Sequence, residues 1–102
     1  MVVYMLTTWY PFNKGQEVMN IASKYTTFPD FITKWRIFGT AAGKEGIKSY
    51  NLIYIKDDKV AEAIAYISRL QQEFTDKIDG YSFKVETLLS MSDFQKVQAV
   101  KL

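Results

Sequence analysis

IKSYNLIYIKDDKVAEAIAYISRLQQEFTDKIDG, the run from Ile47 to Gly80, decides how this chain folds. Its first part, Ile47 to Lys56, is rich in β-branched and aromatic side chains and reads as a strand. Asp57-Asp58 then marks a change, because acidic residues suit the positive end of a helix dipole. From there Val60, Ala63, Ile64, Ile67, Leu70, Phe74 and Ile78 recur at spacings of three and four. That is one buried face of a long helix. Gly80 supplies the stop.

Working outward, Tyr81 to Leu89 reads as a strand after the helix. On the other side, Ala42-Gly43-Lys44-Glu45-Gly46 has two glycines and reads as a turn. It predicts a hairpin between Ile47–Lys56 and a strand at Lys34 to Ala41. Phe28-Pro29 closes a helix from about Lys14 to Thr27, whose Val18, Ile21, Ala22 and Tyr25 share a face. Asn13 and Gln16 have the spacing of a capping box at its start. Val2 to Tyr10 is a strand ended by Pro11 and apolar on both faces, which suits a central position. Ser92 with Gln95 has the spacing of a second capping box, opening a short helix through about Val100.

The order β-α-β-β-α-β defines an α+β class and a ferredoxin-like sheet of strand order 4-1-3-2, with both helices on one face. Residues 1–102 are expected to form one such domain. Right-handed crossovers put the first and third strands side by side and parallel at the centre of this otherwise antiparallel sheet. A bulge at Gly39 would break the parity of the second strand.

Composition narrows the function. The chain is 48% hydrophobic and 24% charged, as globular domains are. At this length it buries only about two-thirds of its unfolded surface, so its own core is modest. It has no Cys and no His, which excludes disulfides, thiol catalysis, thiolate metal sites and the commonest general base. No metal site and no cofactor are expected. Net charge is +2, and the basic residues are scattered, eleven Lys with Arg36 and Arg69, which argues against nucleic acid. RNA-recognition domains share this strand order, but the strand Ile47 to Ile55 lacks their glycine. No stretch approaches the roughly 20 apolar residues needed to cross a bilayer. The run Val2 to Leu6 is too short for a signal sequence, so the expected location is the cytoplasm.

Alternation sorts the strands into two faces. The odd-numbered set, including Val3, Met5, Thr7, Trp9, Trp35, Ile37, Ser49, Asn51, Ile53, Val85 and Thr87, is the more apolar and is expected to face the helices. The even-numbered set has charged ends and an apolar middle of Tyr4, Leu6, Phe38, Tyr50, Leu52, Tyr54 and Leu88. An aromatic centre with a polar rim is how an interface is built, so this face is expected to pair two copies into a homodimer. In strand order and face pattern the chain resembles the dimeric α/β-barrel superfamily, in which two ferredoxin-like sheets pair face to face. The resemblance implies cofactor-free oxygenases, small isomerases, stress-response proteins or ligand-sensing domains. Its haem-dependent branches use a His, which this chain lacks.

The expected helix-covered face has four polar interruptions, Thr7, Ser49, Asn51 and Thr87. Buried polar groups need partners. With Trp9 and Trp35 as walls, these residues define a candidate small-molecule pocket between sheet and helices. The alternative is that Asn51 and the hydroxyls satisfy backbone groups or one buried water. Arg69 is expected to snorkel or to pair with Glu73 at i+4. Asp57-Asp58 reads as a helix start, and Glu86 as a surface partner of Lys84. No residue is singled out as catalytic. The leading reading is a non-catalytic small-molecule binding or sensing protein. A cofactor-free oxygenase or isomerase, and a protein-interaction module on the even face, are the alternatives.

Overall fold

A computed structural model describes residues 1–41 and 43–99. Its strands are β1 (Val2–Tyr10), β2 (Ile32–Ala41), β3 (Ile47–Ile55) and β4 (Ser82–Leu88), and its helices are α1 (Gly15–Ala22), α2 (Val60–Lys77) and α3 (Met91–Ala99). The four strands form one sheet in the order β2-β3-β1-β4. This is the expected ferredoxin-like order. Every neighbouring pair is antiparallel, so the expected parallel pairing of the first and third strands is corrected. The β2–β3 hairpin reverses the chain, and β3 therefore runs opposite to β1. Ala42 in that turn and Val100 at the expected end of α3 lie outside the described residues.

Registry corrects the face assignment of β1. Leu6 stands opposite Asn51 on β3 and Val85 on β4, and Tyr4 stands opposite Ile53. Directly opposed residues in an antiparallel pair share a face. The helix-covered face therefore takes the even residues of β1 with the odd residues of β2, β3 and β4. Tyr4 and Leu6 belong to the core, while Val3, Met5, Thr7 and Trp9 lie on the open face. Because β1 is apolar on both sides, its own pattern carries no preference, and pairing with its neighbours decides. The irregularity in β2 falls between Ile32 and Lys34, not at Gly39.

Two clusters fill the space between sheet and helices. Tyr4, Leu6, Ile32, Ile53 and Ile55 pack under Ala63 and Ile67 of α2. Val18 and Ile21 of α1 pack with Leu70, Phe74, Ile78 and Tyr81. Full burial of an Ile or Leu side chain contributes about 1.5–3 kcal/mol, so these residues dominate the hydrophobic stabilisation. Both helices thus lie on one face, and Trp35 and Tyr66 touch both clusters.

Helix α1 is shorter than its apolar spacing suggests. After Ala22 the backbone tightens, with Lys24 N–H donating to Ile21 and Tyr25 N–H to Ala22, while the Ser23 hydroxyl donates to the Asn20 carbonyl. Tyr25 leaves the helical path, and its hydroxyl donates to Glu73 on α2. Eight residues span only about 12 Å, against roughly 21 Å for the expected helix, and part of the sheet is left uncovered. Asn13 lies in a short 3-10 turn and makes no capping bond; Gln16 donates to Asn20 instead. At α3 the capping box is Ser90 with Asp93, not Ser92 with Gln95: Asp93 N–H donates to the Ser90 hydroxyl, and Ser90 N–H to the Asp93 carboxylate. No helix among the described residues is long and apolar enough to cross a membrane.

Candidate functional site

Where α1 stops short, a cavity of about 180 Å³ opens between the sheet, α1 and α2. Leu6, Thr8 and Tyr10 of β1, Ser49 and Asn51 of β3, and Trp35 of β2 form its floor. Val18 of α1 and Leu70, Gln71 and Phe74 of α2 form its roof. Met19, Phe28 and Ile37 also line it and are exposed, which places them at its mouth. Phe28 lies flat on Trp35, with ring centroids 4.8 Å apart. At the other side Tyr81 stacks between Tyr10 and Phe74. Aromatic surfaces thus stand on two sides of the space.

The polar groups of the cavity are joined. Trp35 Nε1–H donates to Asn51 Oδ1 at 2.9 Å. Asn51 Nδ2 donates to the Leu6 carbonyl at 3.1 Å and to Ser49 Oγ at 3.2 Å. The Ser49 and Thr8 hydroxyls bond each other. Tyr81 donates to Gln71 Oε1 at 2.5 Å. One set of hydrogen bonds therefore joins Trp35, Asn51, Ser49 and Thr8 along the sheet, and a second joins Tyr81 to Gln71 of α2. Asn51 does satisfy a backbone group, the Leu6 carbonyl, and beyond that expectation it also bonds Ser49, which bonds Thr8, along the wall of an open space.

Of the residues singled out from sequence, Trp35, Ser49 and Asn51 come together here. Thr7 and Trp9 do not, because they lie on the far side of the sheet. Thr87 sits opposite Tyr4 on the edge strand, is exposed, and does not line the cavity. Sequence reading missed Thr8, Tyr10, Phe28, Gln71 and Tyr81. Gln71 carried a signal: it falls four residues after Ile67 and three before Phe74, inside the buried stripe. Thr8 could not be separated from Thr7 without the registry of β1.

The cavity lining holds no Lys, Arg, Asp or Glu among the described residues, and its titratable groups are tyrosines. Burial pushes the Tyr81 phenol well above its ordinary value. The sign of its pH dependence follows. Below about pH 10 both folded and unfolded chains keep the proton, so the contribution is complete. Above that, the unfolded phenol ionises while the folded one does not, and stability falls as pH rises. Tyr81→Phe is expected to flatten the fall of the urea midpoint between about pH 9.5 and about pH 11.5. An unchanged slope would mean that Tyr81 is not held protonated by burial.

Elsewhere, Glu73 gathers Tyr25, Lys77 at 2.9 Å and Lys24 at 3.8 Å. The Tyr25 and Lys77 hydrogen bonds hold its carboxyl below the usual range. Arg69, expected to snorkel or to pair with Glu73, makes no ion pair with Glu73 and lines a wide groove of about 600 Å³ beside Tyr66, Phe31 and Glu62. Asp57 and Asp58 lie in a 3-10 turn before α2, where no side-chain capping bond forms. Lys84 and Glu86 pair at 3.7 Å. The described residues hold no cluster of three or more acidic residues placed to bind a metal.

Fold and site together define a ferredoxin-like α+β domain with a small cleft under its helices. No family model matches the chain, and no curated protein matches it. Among solved structures, a chain described as a PII-like signaling protein from Thermus thermophilus aligns over 92% of this chain and 92% of its own. The TM-score is 0.44 and the identity 12%. The fold class rests on the strand order and pairing of this chain itself.

Proposed function

We propose that this protein is a homodimeric small-molecule binding or sensing protein, with no catalysis of its own, whose site is the cleft under α1 and α2. The observation that carries the reading is the cavity of about 180 Å³ with aromatic walls and a continuous polar floor. Small-molecule sites have this character, mostly apolar with a few placed polar groups. Phenols kept protonated by burial make poor general bases, which favours binding over turnover.

The homodimer part of the reading rests on the open sheet face. Val3, Met5, Trp9, Phe38, Tyr50, Leu52, Tyr54 and Leu88 share it by registry. Lys48 lies over Trp9 and Tyr50, Lys34 over Tyr54 and Arg36 over Phe38, so cations partly cover the rings. Phe38 and Leu88 are exposed. A second copy presents the same apolar centre, and a two-fold axis would bury both at once, as in the superfamily that the chain resembles.

Native mass spectrometry of the gently purified protein tests both parts. A dimer carrying a small extra mass is the expected result. A bare dimer that no small molecule stabilises against heat would count against the cleft as a site. A monomer at micromolar concentration would sink the paired sheet. Leu52→Asp, which puts a charge at the centre of the open face, is expected to convert the dimer to a monomer by light scattering. A dimer unchanged by that substitution would place the interface elsewhere.

A further inference from the structure

The hydrogen bonds around the cavity leave one donor unused. Trp35 Nε1 can only donate, so Asn51 must present Oδ1 to it. Asn51 Nδ2 then donates to the Leu6 carbonyl and to Ser49 Oγ. The Ser49 and Thr8 hydroxyls bond each other. Tyr81 donates to Gln71 Oε1. The amide of Gln71 is thereby oriented with Nε2 outward.

Gln71 is only 2% exposed, yet Nε2 makes no hydrogen bond among the described residues. Every described side-chain polar atom fully shut off from solvent does have a partner. Gln71 Nε2 therefore opens onto the cavity that its residue lines. A donor that faces the cavity without a protein acceptor can bond an acceptor on what enters it, and the Tyr81 hydrogen bond to Oε1 polarises the amide into a stronger donor.

We infer that the cleft takes a neutral, single-ring molecule bearing a hydrogen-bond acceptor such as a carbonyl, which Gln71 Nε2 receives. This rests on the reading of the cleft as a small-molecule site. Size sets the single ring: a cavity of about 150 Å³ in another protein holds benzene, and this one is about 180 Å³. Shape sets its planarity, since the Phe28–Trp35 stack and the Tyr10–Tyr81–Phe74 stack flank the space. Neutrality follows from the absence of any Lys, Arg, Asp or Glu among the described lining residues. An ionised ligand would lose its hydration with no charge to replace it.

Three probes test this on the full chain: acetophenone, its isostere α-methylstyrene with a methylene in place of the carbonyl oxygen, and benzoate. Binding is read by the emission of Trp35 in a Trp9→Phe background, Trp9 being on the opposite sheet face. Acetophenone is expected to bind roughly tenfold tighter than α-methylstyrene, and benzoate not to bind. In Gln71→Met, a change of similar length, that preference is expected to fall below about twofold while α-methylstyrene still binds. Equal binding of the two isosteres by the unsubstituted chain overturns the role of Gln71 and leaves the cleft a small-molecule site. Benzoate binding as tightly as acetophenone overturns the neutral ligand. Binding of none of the three overturns the inference, and native mass spectrometry then judges the cleft separately. Should Gln71→Met fail to fold, the comparison of isosteres by the unsubstituted chain decides.

Discussion

Gly46→Ala is expected to lower the unfolding free energy by about 3 kcal/mol or more. Gly46 has φ +83°, a conformation that side chains rarely adopt. A Cβ there would sit 2.4 Å from the Tyr10 carbonyl oxygen and 3.0 Å from Pro11 Cα. Both obstacles are backbone, so no side chain can swing away to make room. Strain and clash therefore add, at a point where the β2–β3 turn rests on the end of β1. A domain of this size has only about 5–15 kcal/mol of stability, so much of it would be lost. Urea unfolding measures the effect. An unfolding free energy within about 0.5 kcal/mol of the parent would show that the turn relaxes freely, and that Gly46 does not hold Tyr10 at the cavity floor. Gly43 makes the natural control, because it too has positive φ but a Cβ on it would meet nothing within 4 Å.

Asn51→Leu is the second large effect, expected at roughly 2–5 kcal/mol. The side chains are similar in volume, so the loss is polar rather than steric. Trp35 Nε1 loses its acceptor, and Ser49 and the Leu6 carbonyl lose a donor. Each buried group left unpaired costs about 1–3 kcal/mol. Trp35 and Ser49 on the cavity floor also lose the partner that fixes them, so a ligand in the cleft is expected to bind more weakly. Equilibrium unfolding together with binding of acetophenone reads both. A variant unchanged in stability and binding would remove the main support for a functional cleft.

These two substitutions bear on what could be read without coordinates. Gly46 was visible as a turn residue, but not that its α-hydrogen faces the Tyr10 carbonyl. Asn51 stood out as a polar residue in mid-strand, and its neighbours Ser49 and Trp35 were found with it. Trp9 was placed beside them by extending one parity over all strands, and the structure puts it behind the sheet. The interface set erred in the same way, since Tyr4 and Leu6 are core and Val3, Met5 and Trp9 take their places on the open face. Gln71 received no reading, although its spacing from Ile67 and Phe74 puts it on the buried face of α2.

Local patterns determined the elements of this protein and the order of its sheet. The spacing of Val60 to Ile78, the glycines around Lys44 and the β-branched runs are short-range signals, and the ferredoxin-like order follows from them by connection rules. The absence of Cys and His limited the chemistry in the same direct way. Tertiary structure alone decided which face β1 presents, because a strand apolar on both sides is oriented only by the registry of its partners. It also decided where α1 ends, since the Tyr25–Glu73 contact lies between elements far apart in the chain. From those two decisions came the cavity, and with it the meeting of Trp35, Asn51, Ser49, Thr8, Tyr81 and Gln71, which no spacing along the chain records.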